Sequence, residues 1–328
     1  MGQGYPQDLN ATRRGALLGG LSIGMSLLAP MRSRAAPPAM PLPPTLHAAG
    51  SDCWWVEAAR GEATPDNGGV TAQLALLRDG ERLWLIGSGP TPAFGAALAE
   101  AARQACGQGV SDVVNTRATP ELGLGNSAFP QARLWALPGV MALMNARCRE
   151  CLARLRSHIG AAGASLDPAA IRPPTLAVGG AGASSGTLGP WAWRAFDRGP
   201  GERVLALRHA GQQLVVAQGL LWAGDIPDLR NLRVDALRDS LVALQDWAGS
   251  DRIVGEQGGL ADAAAIGRHI AYLDALRAAI EPYLARGDLW GAAGGIELPA
   301  WAAAPGYAAR HALNVQRLWL ELEPTIFR

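Results

Sequence analysis

Strand-like and helix-like patterns alternate along this chain, break off, and then start again. In the first half, residues 54–56, 71–77 and 82–86 read as short strands, with an Arg78-Asp79-Gly80 turn between the last two. A helix is expected over 93–106, where Phe94, Ala97, Leu98, Ala101 and Ala105 fall at helical spacing. Residues 110–115 read as a buried strand, 116–127 as a loop, 132–136 as a strand, and 141–159 as an arginine-rich helix. Residues 160–190 are rich in Gly, Ala and Pro and read as loop. The pattern then restarts, with strands at 203–209, 213–218 and 220–223 and a helix over Val234–Ala248. A short strand at Arg252–Val254 follows, then helices over 261–280, stopped or kinked by Pro282, and 308–321. Two β-rich halves, each closed by helices, restrict the chain to a layered α/β sandwich.

Composition agrees with a globule of that kind. Of 328 residues, 49% are hydrophobic and 17% charged, which excludes a disordered polyelectrolyte. All 29 basic residues are arginine, and the net charge of +1 argues against a nucleic-acid or polybasic membrane surface.

The N-terminus reads as an export signal. Thr12-Arg13-Arg14-Gly15 precedes an apolar run at 16–29, and small residues follow around Ser33-Arg34-Ala35-Ala36. The adjacent arginines, with Leu17-Leu18 behind them, suggest the twin-arginine route. The expected organisation is a signal peptide at 1–35, a linker at 36–50 and one domain at 51–328. No later segment has the ~20 apolar residues of a membrane span. The expected location is therefore the periplasm.

Four cysteines follow the signal: Cys53, Cys106, Cys148 and Cys151. Cys148-Arg149-Glu150-Cys151 is a CxxC, open to three readings: a redox or metal-binding pair, a local disulfide, or two free thiols on a helix. Trp191 and Trp193 stand in an irregular stretch from which they could line a cleft. His158 and His269 fall on expected helices, on their solvated faces. The glycine run at 179–183 lacks the Lys-Ser/Thr of a phosphate-binding loop.

The order of short motifs resembles the metallo-β-lactamase family. These are Asn67-Gly68-Gly69, Leu85-Ile86-Gly87-Ser88-Gly89, Val113-Val114-Asn115-Thr116 and Gly125-Asn126-Ser127-Ala128-Phe129. Arg208-His209-Ala210-Gly211, Leu221-Trp222-Ala223-Gly224-Asp225 and Ile253-Val254-Gly255 continue the series. With the tail Glu297-Leu298-Pro299, the sequence looks most like the quinoprotein relay system zinc metallohydrolases. The resemblance implies an α/β, αββα metallo-β-lactamase-like sandwich, export, and association with a periplasmic quinoprotein dehydrogenase system.

It also implies a zinc centre, and there this chain departs from the pattern. The family's His-x-His-x-Asp-His loop corresponds to Arg117, Thr119, Glu121 and Leu122, and the final histidine position to Gln257. The aspartate usual at the end of the second strand is replaced by Gly87. His209, Asp225 and Glu121 survive as a remnant metal set. Leucine cannot ligate and arginine stays protonated, so zinc is expected at most weakly and no cofactor is implied. Arg117 is expected inside the cleft, replacing the metal's charge and pairing with Asp225, Glu121 or both. Three functions follow: a non-catalytic binding or accessory protein, a hydrolase with one metal on His209, Asp225 and Glu121, or a thiol-redox accessory protein using Cys148 and Cys151.

Overall fold

The computed structural model describes residues 43–199, 201–293 and 295–326. The export signal and residues 36–42 of the expected linker lie outside the described residues.

The first half builds a seven-stranded sheet whose strands neighbour one another in chain order: β1 (Leu46–Ala48), β2 (Cys53–Val56), β3 (Leu74–Asp79), β4 (Arg82–Ile86), β5 (Asp112–Asn115), β6 (Arg133–Ala136) and β7 (Leu176–Ala177). Strands β1 to β4 pair antiparallel, while β4 to β7 are parallel. The change of direction follows from the connections. A tight turn joins β3 to β4, whereas helix α1 (Pro92–Cys106) crosses over between β4 and β5. Thr91 starts that helix by accepting the Phe94 N–H at 3.0 Å, Pro92 occupies its first turn, and Gly107 ends it in the left-handed region. The one-turn helix α2 (Pro120–Gly123) and helix α3 (Pro138–Ile159) follow β5 and β6.

The second sheet holds β8 (Ser185–Leu188), β9 (Trp191–Gly199), β10 (Glu202–His209), β11 (Leu214–Val216), β12 (Arg252–Val254) and β13 (Leu260–Ala261), side by side in that order. Helix α4 (Val234–Ala248) joins β11 to its parallel neighbour β12. Helices α5 (Ala263–Ala285), α6 (Trp290–Ala293) and α7 (Tyr307–Ile326) complete the chain.

Side-chain alternation sorts the strands into layers. On β10, Leu205 and Leu207 join Trp84, Ile86, Val114, Trp191 and Trp193 in a core between the two sheets. Val204 and Ala206, on the opposite face, pack with Leu237, Leu241, Ile266 and Trp319 of the C-terminal helices. On the outer face of the first sheet, Leu85 and Val113 meet Phe94 and Leu98 of α1. The order is helix, sheet, sheet, helix.

Five expectations change. Residues 160–190 were expected as loop, yet β7 and β8 lie there, and the nine-residue β9 starts at Trp191. Trp191 and Trp193 are inter-sheet core residues, not a cleft lining, because alternate positions of a central strand face the core. Residues 220–223 form no strand, only a bridge between Trp222 and Gln257. Helix α5 runs through Pro282, which is exposed; the carbonyl its ring leaves unbonded belongs to the exposed Ala278, where water can serve it. Residues 46–48 of the expected linker form the edge strand β1.

Candidate functional site

A cavity of about 300 Å³ opens between loops of both halves and one face of α3. Five arginines line it: Arg117, Arg154, Arg198, Arg230 and Arg310. Glu62, Glu121, Asp228 and Glu256 supply the acids, and Trp222, Leu155 and Pro120 the apolar surface.

Arg117 leaves the end of β5 and turns inward. Its Nη1 donates to Glu256 Oε1 at 3.0 Å, and its Nε stands 3.9 Å from Glu202 Oε1. Glycine at 219 makes this path available. A Cβ there would lie 2.4 Å from Arg117 Cδ, and the backbone φ of +78° suits glycine. Glu202 also accepts from Arg198 Nη1 at 2.8 Å, so two buried guanidiniums share its side. Burial opposes charge on Arg117, but Glu256, Glu202 and Glu121 outweigh it and raise its pKa. Arg198 has fewer acids, and burial together with the Arg117 charge pulls it down to about 10.

Arg117 is thus internal, as expected, but with different partners. Asp225 is engaged elsewhere. Its carboxylate accepts the Ile226 and Gly306 N–H groups at 2.8 Å each and Arg310 Nη1 at 3.1 Å, with Arg60 at 3.9 Å. Helix α7 delivers Arg310 to it, and a helix with an ordinary amphipathic pattern carries no sequence signal of that role. Glu121, in the single turn of α2, keeps an electrostatic tie to Arg117. Burial raises its pKa, and the nearby Glu256 charge adds to the rise. The carboxylate charge that acts on Glu121 is therefore that of Glu256, not that of Asp225. Glu256 had a signal in the sequence, since it precedes Gln257 in the Gly255-Glu256-Gln257-Gly258 turn. Arg198 and Glu202 had none.

The other positions that the resemblance assigns to metal ligands serve packing and loop bonding. Leu122 is fully buried, and a Cβ at Gly87 would lie 2.7 Å from it, so the two replacements fit one another. Thr119 caps α2 without a side-chain bond to the helix backbone. Gln257 donates to the carbonyls of Gly61 at 3.1 Å and Thr71 at 2.9 Å, and accepts from Gly61 N–H and Arg310 Nη2. Its amide has no capacity left over. His209 lies outside the cavity wall. Its Nδ1 accepts the Gln212 N–H at 3.0 Å and its ring meets Trp191 edge-on at 5.8 Å. The remnant set is not brought together: His209, Asp225 and Glu121 each have other partners. Among the described residues no group of three or more His, Cys, Asp or Glu is arranged to hold a metal. A guanidinium and an isobutyl group stand where the motif would place imidazoles, and these residues do not fit a dinuclear zinc centre.

Cys148 and Cys151 are free thiols on α3, as are Cys53 and Cys106 in the core. Burial, with Cys151 beside it, pushes the Cys148 thiol up to about 11; burial and then Glu121 raise Cys151. Neither is an activated thiolate. His158 is exposed on α3, as expected, and reaches the cavity. His269 is not solvated. It is buried under the 221–226 loop, where its Nε2 accepts the Trp222 N–H at 3.2 Å, and burial lowers its pKa to about 4.

No protein-family model matches the sequence, and no curated protein does. Solved structures do match. The metallo-β-lactamase FIM-1 from Pseudomonas aeruginosa, in its mono-zinc form, superposes with a TM-score of 0.58 at 13% identity, over 72% of this chain and 97% of that one. A metallo-β-lactamase from Hirschia baltica gives 0.57 at 12% identity, over 71% and 98%. One from Erythrobacter litoralis, with β-mercaptoethanol in its active site, gives 0.57 at 13%, over 71% and 97%. The fold of this chain is the αββα sandwich of the metallo-β-lactamases.

Proposed function

We propose that this protein is a non-catalytic relative of the quinoprotein relay system metallohydrolases, exported to the periplasm, where it acts as a binding or accessory protein. The observation that carries this reading is the buried Arg117–Glu256 ion pair in the cleft. A fixed guanidinium supplies positive charge there without a metal. It offers no open coordination position and cannot lower the pKa of a bound water as zinc does. The packing of Leu122 against Gly87 and the saturated amide of Gln257 support the same reading. The engagement of His209 and Asp225 with other partners disfavours a single-metal hydrolase, and the raised thiol pKa values disfavour a redox role.

The test is metal content by mass spectrometry of the mature protein purified from periplasm without chelators, beside His209→Ala. The expected result is near-zero zinc in both. About one tightly held metal per chain, lost in His209→Ala, would overturn the reading. For the partner, the expected result is co-purification with a quinoprotein dehydrogenase from periplasm under mild conditions. Its failure when both proteins are present at micromolar concentration would remove that part.

A further inference from the structure

Seven buried side-chain polar atoms lack a hydrogen-bond partner among the described residues, and four of them belong to residues that line one cavity: Arg117 Nε, Thr119 Oγ1, Arg198 Nε and Glu256 Oε2. Native proteins satisfy nearly all such atoms, so four around one cavity need a cause. Their chemistry is complementary. The two Nε–H groups are cationic donors that want an acid oxygen. Glu256 Oε2 is an anionic acceptor that wants an O–H or N–H, and the Thr119 hydroxyl can serve either. The Arg198 side chain is only 5% exposed, so no bulk water satisfies it. At the rim, Arg154 is exposed on α3 and makes no ion pair among the described residues. Trp222, Leu155 and Pro120 give the same cavity an apolar patch.

We infer that the cavity binds a small carboxylic acid that carries a neighbouring hydroxyl or amino group and a compact apolar body. The carboxylate lies against Arg117 and Arg198, the neighbouring donor meets Glu256, and the apolar body rests on Trp222 and Leu155. A volume of about 300 Å³ suits a ligand of that size. The inference rests on the binding-protein reading above and names its ligand class.

A matched set of probes tests it by titration calorimetry in metal-depleted buffer: mandelate, with both groups; phenylacetate, with the carboxylate alone; and 1-phenylethanol, with the hydroxyl alone. Mandelate is expected to bind at least about tenfold more tightly than either, because each lost charge-assisted bond costs roughly that factor. Arg198→Gln is expected to weaken mandelate by a similar factor. Thr119→Val, at a cap whose side chain bonds no helix N–H, tests the same wall where loss of a buried arginine prevents folding, and weakening is expected there too. Equal binding of the three probes, no binding of any to folded protein, or undiminished binding in both folded variants would overturn the inference. If no probe binds while metal content stays near zero, this inference falls and the binding-protein reading stands. If mandelate binds only after zinc is added, both fall.

Discussion

Asp225 and Glu256 are both buried acids on loops of the second half, each paired with an arginine, and they differ in how far their bonding is completed. Asp225 collects two backbone N–H groups and Arg310, and its side chain is 1% exposed. Among the described residues, Glu256 receives Arg117 on one oxygen and nothing on the other. A carboxylate with a full set of donors ties α7 to the 222–226 loop. One with a bare oxygen beside two half-bonded guanidiniums has capacity left over, and its residue lines a cavity. The difference separates an acid whose bonding is complete from one whose bonding is not.

The largest expected effect is at the completed site. Asp225→Ala leaves Arg310 buried without its anion and two N–H groups without an acceptor, and is expected to cost about 3–5 kcal/mol in urea unfolding. A loss below about 1 kcal/mol would break the comparison. At the incomplete site, the paired replacement Arg117→Met with Glu256→Leu removes both charges and two orphaned atoms together. It is expected to change stability by only about 1 kcal/mol in either direction, because an apolar pair of similar volume substitutes well for a buried ion pair. A loss as large as that of Asp225→Ala would place the two sites in one class.

Titration sharpens the contrast further. Burial and Glu256 raise the Glu121 pKa in the folded state, so the native chain binds more protons than the unfolded one above the ordinary glutamate range. Glu121 therefore reduces stability as pH rises through that range. Glu121→Gln is expected to be more stable than the parent at neutral pH, with the gap closing as pH falls below the ordinary carboxylate value. A gap that widens on acidification would reverse the assignment. The smallest effect is at the thiols. With Cys148 held at about 11, its reaction with a thiol reagent at neutral pH is expected to be ~100-fold slower than that of free cysteine, and Cys148→Ser should leave probe binding in the cavity unchanged.

Local pattern carried most of the architecture. Helix α4 and strand β12 occupy the residues that periodicity assigned, and the crossover helices follow the expected order. The error at β9 has a local cause. Glycines and small residues on both sides hid a nine-residue strand whose alternation is clear only once Trp191 and Trp193 have a core to face. His269 misled for a related reason: a histidine on an apolar helix reads as solvated until the loop that covers it is known.

What the sequence by itself determined is the layered α/β frame, which short-range spacing expresses one strand or turn at a time. That Arg117, Thr119, Leu122 and Gln257 stand at metal-ligand positions is what the resemblance implies. What only the tertiary structure decided is which acid each arginine meets. Arg117 reaches Glu256 across 139 residues and Arg310 reaches Asp225 across 85. A guanidinium pairs with whichever carboxylate folding brings within about 4 Å, and no local pattern encodes that distance.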